Sequence, residues 1–238
     1  MVRIKVIIPN AGMDRATLDD RERMLSAGVS ETTRVSVDCI KEGPESVESS
    51  VDEILVGRQI LKGVVQAQKE SFDAVVIYCF SDPALHAARQ LVDIPVIGPG
   101  ETSLALAGSL GHKYSVITTL RENIPRMEMR MRERGKDKLC LVSIRSLDIP
   151  VICLREDAEH TQQRLMEVCT KVIQEDGAEM ILLGCLGLAG YGFPVQERYS
   201  IPIIDPSFVS VGMAELLARL KMRHSRITFP RVDLLTAL

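Results

Sequence analysis

Short apolar runs alternate along the chain with longer stretches whose apolar residues recur every three or four positions. The short runs predict strands at 3–8, 33–38, 73–78, 94–98, 114–119, 149–154, 179–184 and 201–205. The longer stretches predict helices over roughly 13–27, 46–69, 82–91, 101–110, 121–134, 156–176 and 207–222. In 156–176, for instance, Leu165, Val168, Cys169, Val172 and Ile173 recur at helical spacing. Strands that alternate with amphipathic helices build parallel sheets with helices packed on their faces, so the fold class is α/β.

Two of the strands stop in the same way. In "AVVIYCFSDPALHAAR", residues 74–89, a buried strand ends at Cys79, and Asp82 and Pro83 then read as the cap and first residue of a helix. A helix N-terminus there would set positive partial charge beside the thiol and favour its thiolate, whereas the Asp82 charge, unless turned into the cap, would raise the thiol pKa. In "MILLGCLGLAGYG", residues 180–192, a second strand ends at Cys185 among glycines 184, 187, 190 and 192. Those glycines would let backbone N–H groups approach a ligand oxygen.

The flanking segments match as well. "DIPVIGPGETSLALAGSL" parallels "SIPIIDPSFVSVGMAEL"; Cys79 and Cys185 lie 106 positions apart, Pro95 and Pro202 lie 107 apart. That offset is too long for a solenoid repeat and suits a duplicated half. It predicts two pseudo-symmetric lobes, each a parallel sheet flanked by helices. The first would hold 1–97 plus 208–238 and carry Cys79; the second would hold 98–207 and carry Cys185. The active site would lie in the cleft between them, where the two strand ends converge. The tail, 223–238, would be ordered against the body or against a partner subunit.

Composition narrows the function. The 238 residues are 46% hydrophobic, enough for a sizeable core, and their formal charge of −3 is spread along the chain, which excludes a basic nucleic-acid footprint. No secretory pattern opens the chain, because Arg3 and Lys5 sit inside a strand-like run. The longest nearly apolar run, 180–193, is too short and too rich in glycine to span a membrane. Six cysteines without small-domain spacing point to reduced thiols in a cytoplasmic setting. The four histidines are far apart and no C-x-x-C occurs, so no metal is expected. The glycines of "GCLGLAG" follow G-x-x-G-x-x-G rather than the dinucleotide spacing, so no nucleotide cofactor is expected either. Cys39, Cys140, Cys153 and Cys169 read as small hydrophobic residues.

Two facing thiols can invert a carbon that bears an acidic hydrogen. One, as thiolate, removes the proton from one face while the other, as thiol, delivers a proton to the opposite face. Cysteine suits both roles because its reference pKa of about 8.5 keeps either form accessible near neutrality.

The residues that carry this chemistry resemble those of the aspartate/glutamate/hydantoin racemase superfamily, most closely its hydantoin and allantoin racemase branch. The resemblance runs from about Val2 to Leu217. It rests on "VIIPN" at 6–10, "GPESVESSVDE" at 43–53, "CFSDPALHAAR" at 79–89, "PVIGPGE" at 95–101, "VITTL" at 116–120, "ILLGCLGLAG" at 181–190 and "IPIIDP" at 201–206. It implies a cofactor-free racemase of 5-substituted hydantoins or an allantoin-like ring, a small-molecule substrate, and a homo-oligomer. By the same resemblance, Cys79 and Cys185 fall on the acid/base positions, and Asn10, Phe80, Thr118, Thr119, Leu186 and Gly187 fall on substrate-contacting loops. The carboxamide of Asn10 both donates and accepts, which independently suits a lactam N–H and C=O. The hydroxyls of Thr118 and Thr119 could bond an imide oxygen.

The chain departs from that branch in two places. "PNAGM" stands where P-N-[TS]-[ST] is usual, and "CFSDPAL" where C-F-G-D-P-G-L is usual. The alternatives left open are an aspartate- or glutamate-type racemase, a maleate-isomerase-like enzyme or decarboxylase of small dicarboxylates, and a non-catalytic small-molecule-binding protein on the same scaffold.

Overall fold

Four residues, Ala74–Ile77, are buried without exception, and so are four more, Met180–Leu183. A strand enclosed on both faces must have a neighbour on each side and helices above and below. The computed structural model, which describes residues 1–133 and 140–233, places each of these strands inside its own four-stranded parallel sheet.

The first sheet contains β1 (Val2–Ile8), β2 (Thr33–Cys39), β3 (Ala74–Ile77) and β4 (Val96–Ile97) in the order β2-β1-β3-β4. The second contains β5 (Lys113–Thr118), β6 (Cys140–Ser146), β7 (Met180–Leu183) and β8 (Ile203–Ile204) in the matching order β6-β5-β7-β8. Helices α1 (Arg15–Ser26), α2 (Ser50–Lys69), α3 (Leu85–Leu91), α4 (Pro99–Leu110), α5 (Ile124–Glu133), α6 (Ala158–Gln174), α7 (Phe193–Tyr199) and α8 (Pro206–Arg219) connect them. The chain divides into two compact units, residues 1–99 with the segment from 207 onward, and residues 100–206.

Equivalent hydrogen bonds recur in the two sheets. Tyr78 N donates to Ile7 O at 2.8 Å, and Gly184 N donates to Ile117 O at 2.7 Å. Val75 N reaches Pro95 O at 2.9 Å, and Ile181 N reaches Pro202 O at 3.0 Å. The prolines of the two I-P-[VI]-I motifs therefore supply equivalent strand-edge acceptors. Each core forms where an amphipathic helix covers its sheet. Val56, Ile60 and Val64 of α2 pack with Ile7, Val75 and Ile77 in the first unit. Leu165, Val168 and Val172 of α6 pack with Ile117, Ile181 and Leu183 in the second. Each such side chain contributes about 1.5–3 kcal/mol on burial.

Three expectations need correction. The apolar run 149–154 is not a strand; Val151–Arg155 is a 3-10 helix. A short apolar run cannot separate the two by periodicity. The fourth strand is instead β6, an edge strand half-buried along most of its length and so without inside-outside alternation. The helix expected at 82–91 begins at Leu85, because Asp82 (φ +53°) and Ala84 (φ +57°) take left-handed backbone and form a tight turn. Among the remaining cysteines, Cys169 is buried, with its thiol pushed up to about 12 by desolvation, whereas Cys140 lies exposed at the start of β6. Cys39 and Cys153 are half-buried.

The tail packs on the body as far as residue 233. Arg226 donates to the carbonyls of Arg89 and Val92 and to the Asp93 carboxylate, and His224 Nε2 accepts from Val96 N at 2.9 Å. Phe229 lies under the Arg89 guanidinium, 5.4 Å from its ring centroid.

Candidate active site

In an open parallel sheet, ligands bind beyond the carboxyl ends of the strands, where the strand order reverses direction. In the first sheet that point lies between β1 and β3. Two residues past β1 stands Asn10, half-buried; two past β3 stands Cys79, also half-buried. In the second sheet the point lies between β5 and β7. Thr118 ends β5, Thr119 follows it, and Cys185 comes two residues past β7. Each sheet thus gathers its own candidate residues at its own switch point.

The Cys79 sulfur lies 3.2 Å from Ser81 Oγ. Burial pushes this thiol up; hydrogen bonds from the hydroxyl and backbone N–H of Ser81 pull it down, and the Glu53 and Asp82 carboxylates raise it further. The expectation of a helix N-terminus lowering this pKa is therefore overturned. The helix starts at Leu85, and Asp82 does not cap it. Asp82 is 8% exposed and faces Gly98, where a Cβ would stand 2.7 Å from Asp82 Cγ. Phe80 is enclosed at 4% exposure.

The Cys185 sulfur accepts from Gly187 N at 3.4 Å and caps the 3-10 turn Leu186–Leu188. The surrounding loop is fixed from three sides. Gly190, at φ +85°, donates its N–H to Asp205 Oδ2 at 2.8 Å. Arg155 donates to the carbonyls of Gly187 and Ala189 and lies 4.7 Å over the Tyr191 ring. Tyr191 in turn donates to Leu154 O at 2.9 Å. The glycine amides do not form the open cradle expected for a ligand oxygen: those of Gly184, Gly187 and Gly190 bond Ile117 O, the cysteine sulfur and Asp205. Leu186 is buried and Gly187 half-buried.

Thr118 and Thr119 are each 2% exposed. Their carbonyls accept from Leu147 N and Ile149 N, at 3.0 and 3.1 Å. Asn123 Nδ2 approaches the Thr119 hydroxyl at 3.5 Å, and Arg126 donates to Asn123 Oδ1 at 3.1 Å. Sequence reasoning missed Glu53, Ser81, Asn123, Arg126 and Arg155 as parts of these surroundings. Glu53 stood within a quoted motif and Ser81 at a noted departure; Arg155 directly follows the run misread as a strand. Among the described residues, no cluster of three or more His, Cys, Asp or Glu side chains could hold a metal ion, and no helix is long and apolar enough to cross a membrane.

A family model described as Asp/Glu/Hydantoin racemase matches residues 4–214. The chain is 34% identical over 203 residues to the hydantoin racemase of Rhizobium meliloti, covering 84% of each. It is 34% identical over 226 residues to the hydantoin racemase of Pseudomonas sp. (strain NS671), covering 95% of this chain and 90% of that one. Among solved structures, the allantoin racemase from Klebsiella pneumoniae matches with a TM-score of 0.89 at 29% identity, over 98% of this chain and 95% of the other.

Proposed function

The chain belongs to the Asp/Glu/hydantoin racemase family, and from that premise we propose that it inverts the acidic stereocentre of a 5-substituted hydantoin or an allantoin-like ring. Cys79 and Cys185 are the two acid/base groups of the reading. One thiolate takes the hydrogen; the C–H bond breaks, S–H forms, and the electron pair spreads onto the adjacent carbonyl as an enolate. The other thiol gives its proton to the opposite face of the same carbon. The product leaves with thiol and thiolate exchanged. Such a transfer moves no electrons to an acceptor and no group to a carrier, so the proposal calls on no cofactor. Asn10 pairs with the ring's N–H and C=O, Thr118 and Thr119 serve its second carbonyl, and Phe80, Leu186 and Gly187 shape the space around it.

One observation carries the reading. Each sheet ends the strand at its crevice on a cysteine whose sulfur receives a backbone N–H from the residue two positions on, Ser81 in one unit and Gly187 in the other. A second observation bears on substrate class. The charged groups acting on Cys79 are the carboxylates of Glu53 and Asp82. They disfavour a substrate that brings another carboxylate to this sulfur and favour a neutral ring.

The test is turnover in deuterated water of enantiopure 5-substituted hydantoin, allantoin, aspartate and glutamate, with maleate as a further arm. Optical rotation and the proton signal at the stereocentre are followed against the uncatalysed rate. The ring compounds should lose both together. Activity confined to aspartate or glutamate, isomerisation of maleate alone, or no enzyme-dependent exchange in any arm would overturn the reading.

A further inference from the structure

The surroundings of the two sulfurs differ at the second residue beyond each. At Cys185 that residue is Gly187, and its N–H donates to the sulfur at 3.4 Å. A side chain has no room there: a Cβ would lie 2.6 Å from Leu154 Cδ1 and 3.4 Å from the sulfur itself, and Leu154 is fully buried. At Cys79 the corresponding residue is Ser81. It supplies the same backbone N–H and adds a hydroxyl 3.2 Å from the sulfur, with either atom able to donate.

We propose that Ser81 is a positioning residue that holds the Cys79 sulfur in both of its protonation states, accepting from the thiol and donating to the thiolate. A backbone N–H can only donate. A hydroxyl has one proton to give and lone pairs to receive, and it turns about one bond to exchange the roles. The thiolate of Cys79 has a particular need of that second donor. It forms in a desolvated place with the Glu53 and Asp82 carboxylates acting against it. A charge-assisted hydrogen bond from the hydroxyl offsets part of that opposition, and such bonds are the stronger kind. When the proton returns to sulfur, the thiol donates to Ser81 Oγ and keeps its direction fixed. No bond to Ser81 is made or broken in the cycle. The inference rests on the two-cysteine reading for its meaning in catalysis, but not for its test.

The test is the pH dependence of alkylation by iodoacetamide, without substrate, read separately at Cys79 and Cys185 by peptide mass spectrometry. Wild type is compared with Ser81→Ala and Ser81→Thr, and Ser81→Gly serves if the alanine variant melts early. In Ser81→Ala the Cys79 midpoint should rise by about one pH unit, the effect of losing one such bond, with alkylation about tenfold slower below the midpoint. The Cys185 profile should stay in place, and Ser81→Thr, which keeps the hydroxyl, should hold the Cys79 midpoint near wild type. A Cys79 profile in the alanine and glycine variants that superimposes on wild type would overturn the proposal. So would an equal shift at both cysteines, which marks general loosening. If Cys79→Ala still racemises the ring substrate, the functional reading fails, while the alkylation profiles still decide the role of Ser81.

Discussion

The residue two positions beyond each cysteine offers its sulfur a different group, a hydroxyl from Ser81 in the first unit and a backbone N–H from Gly187 in the second. Near Cys79 stand the Ser81 hydroxyl and the carboxylates of Glu53 and Asp82; near Cys185 stand a glycine amide, buried leucines and carbonyls gripped by Arg155. The two units also exchange one contact between equivalent loops. In the first, the carboxylate comes from the loop after β3 and faces a glycine after β4, Asp82 against Gly98. In the second, it comes from the residue after β8 and accepts from a glycine after β7, Asp205 from Gly190 N. The sheets keep their strand order and a cysteine two residues past the equivalent strand, while the polar groups differ.

The sharpest way to break the comparison is to remove one thiol at a time. Cys79→Ser and Cys185→Ser should each lower racemisation by about a thousandfold or more, the upper range for an acid/base group. Each variant keeps one cysteine able to remove the hydrogen from the enantiomer that presents it. In deuterated water, one variant should exchange mainly the D-enantiomer and the other mainly the L-enantiomer. Equal exchange of both enantiomers by both variants would dissolve the pairing of the units.

A second, smaller effect sharpens the contrast between side chain and backbone. Gly187→Ala forces a methyl against Leu154, which the core holds fully buried. Overpacking of this sort costs about 1–3 kcal/mol. Chemical unfolding should show that loss, and kcat/KM should fall with it as the Cys185 loop shifts. Ser81→Ala should change stability by less than about 0.5 kcal/mol, because it only shortens a side chain in a loop. Equal stability losses in the two variants would mean that the units support their cysteines alike.

How much of this could be read in the sequence follows the same division. Strands β1, β3, β5 and β7 were legible because buried parallel strands are nearly continuous apolar runs, and their ends fixed Cys79, Cys185 and the loops of Asn10, Thr118 and Thr119. The edge strand β6 was not legible, since half-burial erases its pattern. The segment Val151–Arg155 was misread for a related reason: it is apolar because it covers the Cys185 loop, not because it lies in a sheet. The turn at Asp82–Ala84 was illegible because the cap signal is local, while the side chain of Asp82 lies against Gly98, sixteen positions away. The carboxylates acting on Cys79 are a matter of distance in space, which spacing along the chain does not encode.

The smallest expected effect concerns how each unit responds to acid. In the first, burial pushes the Glu215 carboxyl up, but hydrogen bonds from Ser30, Thr33 and Arg219 outweigh it and hold the group at about 2 against an ordinary 4.5. Its side chain is 14% exposed, and it ties α8 to the turn before β2. In the second, Arg121 and Ser146 hold Asp148 at about 2, but the Arg121 side chain is 70% exposed and water screens the pair. A depressed carboxyl stabilises the fold fully above its unfolded pKa, and that contribution is lost as pH falls through the folded value. The Glu215 contribution should therefore fade between pH 4.5 and about 2, and the smaller Asp148 contribution between pH 3.8 and about 2. Glu215→Gln should lower stability by about 1–2 kcal/mol at pH 7, and the difference from wild type should shrink toward pH 2. Asp148→Asn should change it by no more than about 0.5 kcal/mol at either pH. Racemisation at pH 7 should be unaltered in Glu215→Gln, whose partners lie in α8 and in the turn before β2. Melting curves across pH 2 to 7 decide it: an acid limb unchanged by Glu215→Gln, or flattened as much by Asp148→Asn, would show that the two units meet acid in the same way.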